Sequence, residues 1–153
     1  MLTVCIKFSD GHTTSTADPA ELSRAFYDPS AQFWVDLSAP NEAEYALLKD
    51  PFGFHPLAVE DAVSEVQRPK LESYAQVGDQ LKTDYFFLVI HGPDLDPDPD
   101  HLFRTTELDI FFSQRYLVTI HEEPGWIRTT FVEAGRRSLR RCGAESVLSV
   151  FHG

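Results

Sequence analysis

Residues 54–74, FHPLAVEDAVSEVQRPKLESY, hold a helix start, an acidic pair and a proline stop in one short stretch. Pro56 suits a first helical turn, where the N–H it lacks would have no intrahelical partner. Leu57, Ala58, Ala62 and Val63 then fall at helical spacing, which predicts a short amphipathic helix. Adjacent helical positions point about 100° apart, so of Glu60 and Asp61 at least one carboxylate faces outward. Pro69 pushes the residue before it out of the α region, so the helix stops upstream and Arg68 is extended. Beyond the helix, Arg68, Lys70 and Glu72 lie on an extended return of the chain.

The flanks on both sides read as strands mixed with helices. Upstream, Leu2 to Phe8 has the two-residue period of a half-buried strand, and Ser9-Asp10-Gly11 supplies a turn. Asp18 is an N-cap with Pro19 at the first helical position, followed by a Leu22, Ala25, Phe26 stripe that ends near Asp28-Pro29. Phe33 to Leu37 predicts a buried strand, and Pro40-Asn41-Glu42 opens a helix through Lys49 with Ala43, Ala46 and Leu47 inward. Downstream, Gln80 to His91 is the strongest strand and is expected at the centre of a sheet. Glu107 to Phe112 alternates, with Leu108, Ile110 and Phe112 on one face and Glu107 and Asp109 on the other. A turn at Ser113-Gln114-Arg115 returns the chain through Tyr116 to His121 as an antiparallel partner. Trp126 to Arg141 and Ala144 to Phe151 read as helices, the first clustering Arg136, Arg137, Arg140 and Arg141. The fold class expected is α+β, with a mixed, partly antiparallel sheet of about five to seven strands covered by helices in αβα layers.

HPLAVED followed by QRPKLE and an aromatic residue resembles the signature of the cytosolic domain of CorA-type magnesium and cobalt transporters. FWVDL at Phe33 to Leu37 and ELDIFFSQRYLVTIHE at Glu107 to Glu122 resemble that family's flanking strands, so the likeness runs in order from Phe33 to Glu122. The family's stalk helix, its two membrane helices and the Gly-Met-Asn tripeptide of its pore entrance are absent from these residues. The resemblance implies that residues 1–143 form a cytosolic regulatory domain, and that 144–153 begin a helix leading to a stalk and membrane region outside this sequence. It also implies a role for one carboxylate. The family's acidic residue matching Asp61 faces a carboxylate on the neighbouring subunit's stalk, and divalent cations between them lock a closed pentamer.

Composition is compatible with that reading. The chain has 153 residues, 42% of them hydrophobic, enough for one domain with a core. Thirteen basic against 24 acidic residues give a formal charge of −11, which argues against a nucleic-acid partner and favours cations. Cys5 and Cys142 are too few and too far apart for a disulfide framework or thiol metal site, which fits a reducing compartment. The first residues lack the basic start and longer apolar run of a signal peptide. The longest strongly apolar run, Tyr85 to Ile90, is far below the roughly 20 residues of a membrane helix, so any membrane contact is expected only through the missing C-terminal region.

Asp61 and Glu60 are the candidate metal ligands, because Mg²⁺ keeps most of its waters and needs only one or two carboxylates. The bland reading of such a pair is a solvated helix face. His55, Arg68, Pro69, Lys70 and Glu72 are structural or interface candidates: His55 orients the turn into its helix, and the charged residues form an ion-pair set against the acidic helix or a neighbouring subunit. Asp94, Asp96, Asp98 and Asp100 superficially suggest a calcium loop, but Pro99 and Thr105 stand where such a loop needs Gly and Glu. His121-Glu122-Glu123 reads as a strand end with solvated acids. No zinc-spaced histidines, phosphate loop or nucleophile elbow appears. The expected function is therefore a cytosolic cation-sensing domain of a CorA-like transporter, not an enzyme, at the cytoplasmic side of the cell membrane. Mg²⁺ is the expected regulatory ligand, with Co²⁺ or Zn²⁺ from related branches, and the other subunits of a homo-oligomer are the partners. The competing readings are a stand-alone metal-dependent hydrolase using Glu60, Asp61 and His55, and an acidic interaction module.

Overall fold

Alternation does build the first strand. In the computed structural model, which describes residues 1–64, 68–76, 83–93 and 105–122, strand β1 (Leu2–Lys7) buries Leu2, Val4 and Ile6. It pairs antiparallel with β2 (Thr13–Thr16) on one side and with β3 (Gln32–Ser38) on the other. The β2 strand was not expected, because its sequence TTST has no apolar member and is held only as an edge. Between β2 and β3 lies helix α1 (Pro19–Tyr27), started by Asp18, whose Oδ1 accepts from the N–H of Ala20 at 2.9 Å, and buried along Leu22, Ala25 and Phe26.

Helix α2 (Glu42–Ala46) begins with a reciprocal capping box: Asn41 Oδ1 accepts from the Glu44 N–H at 2.9 Å, and Glu44 Oε2 accepts from the Asn41 N–H at 3.0 Å. It is shorter than expected and rotated. Ala43 and Ala46 are exposed, while Leu48 just beyond the helix is buried and Tyr45 and Leu47 pack against the core from its edge. Gly53, at φ 64°, supplies the left-handed turn that lets the following loop place Phe52 and Phe54 inside. Helix α3 (Pro56–Val63) then buries Ala58, Val59 and Ala62. Leu57 and Val63, expected inward, are 60% and 48% exposed, because at about 100° per residue they fall outside the face formed by Ala58, Val59 and Ala62.

The remaining strands are β4 (Lys70–Tyr74), β5 (Tyr85–Pro93), β6 (Thr105–Phe112) and β7 (Tyr116–His121). The seven-stranded sheet has the order β2-β1-β3-β7-β6-β5-β4; β3 and β7 are parallel and every other pair is antiparallel. The mixed α+β fold and the hairpin from Glu107 to His121 are as expected. The central strand is β7, all of it buried, whereas β5 lies next to the β4 edge and starts at Tyr85; residues 80–82 of the expected strand lie outside the described residues, and Thr83 and Asp84 are not in a strand. Aromatic and β-branched richness marks burial of a strand, not its rank in the sheet.

All three described helices pack on one face of the sheet. There Phe26, Phe33, Phe52, Phe54, Tyr85 and Phe111 join in ring contacts, the closest being Phe54 on Phe111 with centroids 4.2 Å apart. Aromatic pairs of this kind add about 0.5–1.5 kcal/mol each beyond their buried area. The opposite face carries a smaller cluster of Trp34, Leu108, Ile110 and Leu117. The expected helices at 126–141 and 144–151 and the acidic loop at 94–100 lie outside the described residues.

Candidate functional site

The site forms where α3 meets the β4 edge. Helix α3 begins at His55, whose Nδ1 accepts from the Leu57 N–H at 3.2 Å, so the side chain does cap the helix. The His55 backbone N–H donates to the Tyr85 hydroxyl at 2.8 Å, and its ring stacks on Tyr74, which stacks in turn on Tyr85. This three-ring ladder ties the helix start to β4 and β5.

Asp61 lies one turn from the end of the helix and accepts a hydrogen bond on Oδ2 from Lys70 Nζ, the first residue of β4. The two side chains are 28% and 24% exposed, so the pair is half-buried and screened less than a surface bridge. The same ammonium lies 3.6 Å from Glu72 Oε1 and 5.3 Å from the centre of the Phe87 ring. Burial pulls the Lys70 pKa down, but the hydrogen bond and charge of Asp61, and then Glu72, outweigh it and hold it above the ordinary lysine value. Glu72 also accepts from the Tyr74 hydroxyl at 2.7 Å. Of the expected set, Asp61, Lys70 and Glu72 are thus brought together, and His55 sits behind them. Glu60 is exposed beside them, and Arg68 and Pro69 are exposed where the chain enters β4.

The sheet also buries two charged groups. Asp109 in β6, expected with Glu107 on the face opposite Leu108 and Ile110, is there, and because that face is covered by the helices it is only 4% exposed. Among the described residues, its Oδ1 has no hydrogen-bond partner. Burial raises its pKa to about 8; the negative charges of Glu107 and Asp61 add to that, and Lys70 opposes it. His121, expected at a strand end beside solvated acids, ends β7 and is itself buried. Its Nε2 lies 3.2 Å from Asp36 Oδ1 and its Nδ1 2.7 Å from the Glu122 carbonyl. Thr119 donates to the same Asp36 oxygen at 2.7 Å and accepts from Trp34 Nε1 at 3.0 Å. With an acceptor at each ring nitrogen, His121 satisfies both only as the imidazolium. Burial lowers its pKa, and the Asp36 bond and charge more than reverse that, leaving it raised. One signal was available in the sequence: Asp36 is the lone charge inside the apolar run FWVDL.

Among the described residues, no group of three or more His, Cys, Asp or Glu side chains is arranged to hold a metal ion. Among the same residues, no helix is long and apolar enough to cross a membrane.

Comparison with known proteins places this geometry in context. A protein described as a metal ion transporter, YfjQ of Bacillus subtilis, is 41% identical over 97 residues, which is 62% of this chain and 26% of YfjQ. The magnesium transporter ALR2 of Saccharomyces cerevisiae is 26% identical over 97 residues, 63% of this chain and 10% of that protein. The chain thus spans about a quarter or less of the length of these relatives, which are metal ion transporters and not enzymes. Among solved structures, the full-length CmaX protein superposes with a TM-score of 0.66 at 17% identity, covering 98% of this chain and 42% of that one. The soluble domain of CorA from Methanocaldococcus jannaschii gives 0.56 at 16% identity, over 91% and 48% of the two chains. The ZntB cytoplasmic domain from Vibrio parahaemolyticus gives 0.61 at 16% identity, over 97% and 53%. These likenesses establish the fold. The family model described as CorA-like Mg²⁺ transporter protein matches residues 30–151, most of the chain, and to that family the chain belongs.

Proposed function

We propose that this chain is the cytosolic, cation-sensing part of a CorA-like divalent-cation transporter, and that Asp61 is the carboxylate through which it senses Mg²⁺. The observation that carries the reading is the position of Asp61: on the outer side of α3, at the β4 edge of the sheet, in reach of solvent and with its charge balanced by a lysine rather than buried. Carboxylate oxygen favours hard cations, so Mg²⁺ is preferred here over Co²⁺ or Zn²⁺. Exposed Leu57, one turn before Asp61 on the same side of the helix, gives this side apolar area for a neighbouring subunit of a homo-oligomer, a pentamer as in CorA-type transporters. Such a domain works at the cytoplasmic side of the cell membrane, in a parent that spans it elsewhere.

One carboxylate paired to Lys70 replaces few waters of a hydrated Mg²⁺, so this chain alone binds the ion weakly and salt screens it. A second carboxylate opposite Asp61 in the assembly changes that, because the ion then holds together two groups that otherwise repel. The ion selects the bridged state through its differential affinity for the two arrangements. In the full-length parent, Asp61→Asn is expected to move the Mg²⁺ midpoint of protease protection upward by about tenfold, roughly 1.4 kcal/mol, with the fold unchanged. Superimposable protection curves for the two forms would remove Asp61 from sensing.

A further inference from the structure

Lys70, Val89, Asp109 and Ile120 stand opposite one another in register across β4, β5, β6 and β7. Asp109 therefore has apolar neighbours on both sides of its row, Val89 and Ile120, each buried. Lys70 and Asp109 are separated by two strand spacings, about 10 Å between backbones. The lysine's flexible four-carbon stem allows its ammonium to cover much of that distance. In the structure the ammonium bonds Asp61, lies 3.6 Å from Glu72 and sits over the Phe87 ring of β5, and among the described residues Asp109 Oδ1 has no hydrogen-bond partner. Among the described residues, the charged and titratable groups around Asp109 are Asp61 from α3, Lys70 and Glu72 from β4, His91 from β5, and Glu107 beside it in β6, with His91 Nε2 3.4 Å from Glu107 Oε2. Strand β7 offers only Ile120 in that row.

We propose that Asp109 is a proton-gated competitor for the Lys70 ammonium: while its carboxyl keeps its proton Lys70 ties Asp61 to β4, and when it ionises Lys70 is drawn across Val89 toward β6 and Asp61 is released. The neutral carboxyl asks nothing of Lys70. The carboxylate, buried and without a hydrogen bond on Oδ1, gains more from an ammonium than the half-exposed Asp61 does, because water can solvate Asp61 in its place. The proton is held up to about pH 8 by burial and by the neighbouring carboxylates, so the exchange falls just above neutral pH. A released Asp61 is a freer carboxylate for a cation. That consequence rests on the proposed cation sensing; the exchange itself does not.

The test is a carboxyl and ammonium NMR titration of the 153-residue chain, free of divalent cations, between pH 4 and pH 10. The expected result is an Asp109 carboxyl midpoint between about pH 7 and 9, with the Lys70 side-chain shift stepping at that same midpoint and the Asp61 carboxyl shift following it. An Asp109 midpoint below about pH 5, or a Lys70 signal that ignores Asp109, overturns the proposal. In Asp109→Asn the Lys70 step should vanish, and in Lys70→Met the Asp109 midpoint should rise by about one pH unit; a persisting step or an unmoved midpoint counts against it. Should either variant fail to fold, the titration of the unsubstituted chain still decides. Because no divalent ion is present, a negative result leaves the Asp61 protection experiment to judge the sensing role separately.

Discussion

A carboxyl fixed between Val89 and Ile120 must keep its proton or find a cation, and Asp109 keeps its proton. Its folded pKa, about 8, lies above the ordinary aspartate value of about 3.9. Between those two values the native state holds a proton that the unfolded chain has released, so stability falls as pH rises through that window. Asp109→Asn removes the titration while keeping a neutral side chain of the same shape. Relative to the parent, its urea stability is expected to gain roughly 2–4 kcal/mol between pH 5 and pH 8. Equal pH slopes for the two proteins would show that Asp109 ionises without cost. This residue was not legible in the sequence: alternation put Glu107 and Asp109 opposite Leu108 and Ile110 correctly, but a sheet covered by helices has no solvent face there for the polar positions to meet. Asp61 and Lys70 were legible as a candidate pair, since a helix ended by Pro69 and a return strand bring nearby residues together across one turn of chain.

Helix ends show which parts of an element the local sequence controls. Asp18 with Pro19, Asn41 with Glu44, and His55 with Pro56 start the three described helices where capping chemistry says they should. The end of α1 is different, because its cap comes from far along the chain. Arg115, in the β6–β7 turn, donates through Nη2 to the carbonyls of Phe26 at 3.0 Å and Asp28 at 2.7 Å, with Ala25 at 3.5 Å. A guanidinium at a helix C-terminus meets both the last carbonyls, two of which (Ala25 and Asp28) also accept a backbone N–H, and the negative end of the helix dipole. Arg115→Ala should therefore cost about 1.5–3 kcal/mol in chemical denaturation, with hydrogen exchange accelerated first over Arg24 to Asp28. A loss spread evenly over the sheet, with α1 protected as before, would mean that the turn and not the cap is what Arg115 supports. The inward faces of α2 and α3 were only half legible for a related reason: in helices of five and eight residues the tertiary fit of Leu48 or of Ala58, Val59 and Ala62 outweighs any periodic pattern.

Across the whole molecule, family motifs and strand pattern made the mixed α+β fold legible, while the strand order was not, since pairing β3 in parallel with β7 joins segments that no local signal connects. That pairing also builds the Asp36–His121 contact, because Ser38 and His121 lie opposite each other at the strand ends. Two buried groups then set how the whole fold responds to pH. His121 has a folded pKa above its ordinary value of about 6.5, so its ion pair contributes fully below that value and is lost as pH rises through the folded pKa. Asp109 acts in the same direction over a window reaching about pH 8. On the acid side, Glu44 is affected oppositely: burial raises its pKa, but the Asn41 N–H and the N-terminal amine outweigh that and lower it, so its contribution is lost as pH falls below the usual carboxylate range. The formal charge of −11 adds self-repulsion as the remaining groups lose protons. Stability should accordingly peak at mildly acidic pH, with a Tm at pH 5.5 at least several degrees above that at pH 8.5, since the roughly 2–4 kcal/mol from Asp109 alone shifts Tm by that much in a domain of this size. Asp109→Asn should flatten the descent up to about pH 8 and leave the part due to His121, whereas His121→Gln should remove the step that starts near pH 6.5. A Tm that is flat or rising from pH 5.5 to 8.5 would mean that neither group keeps its proton in the fold.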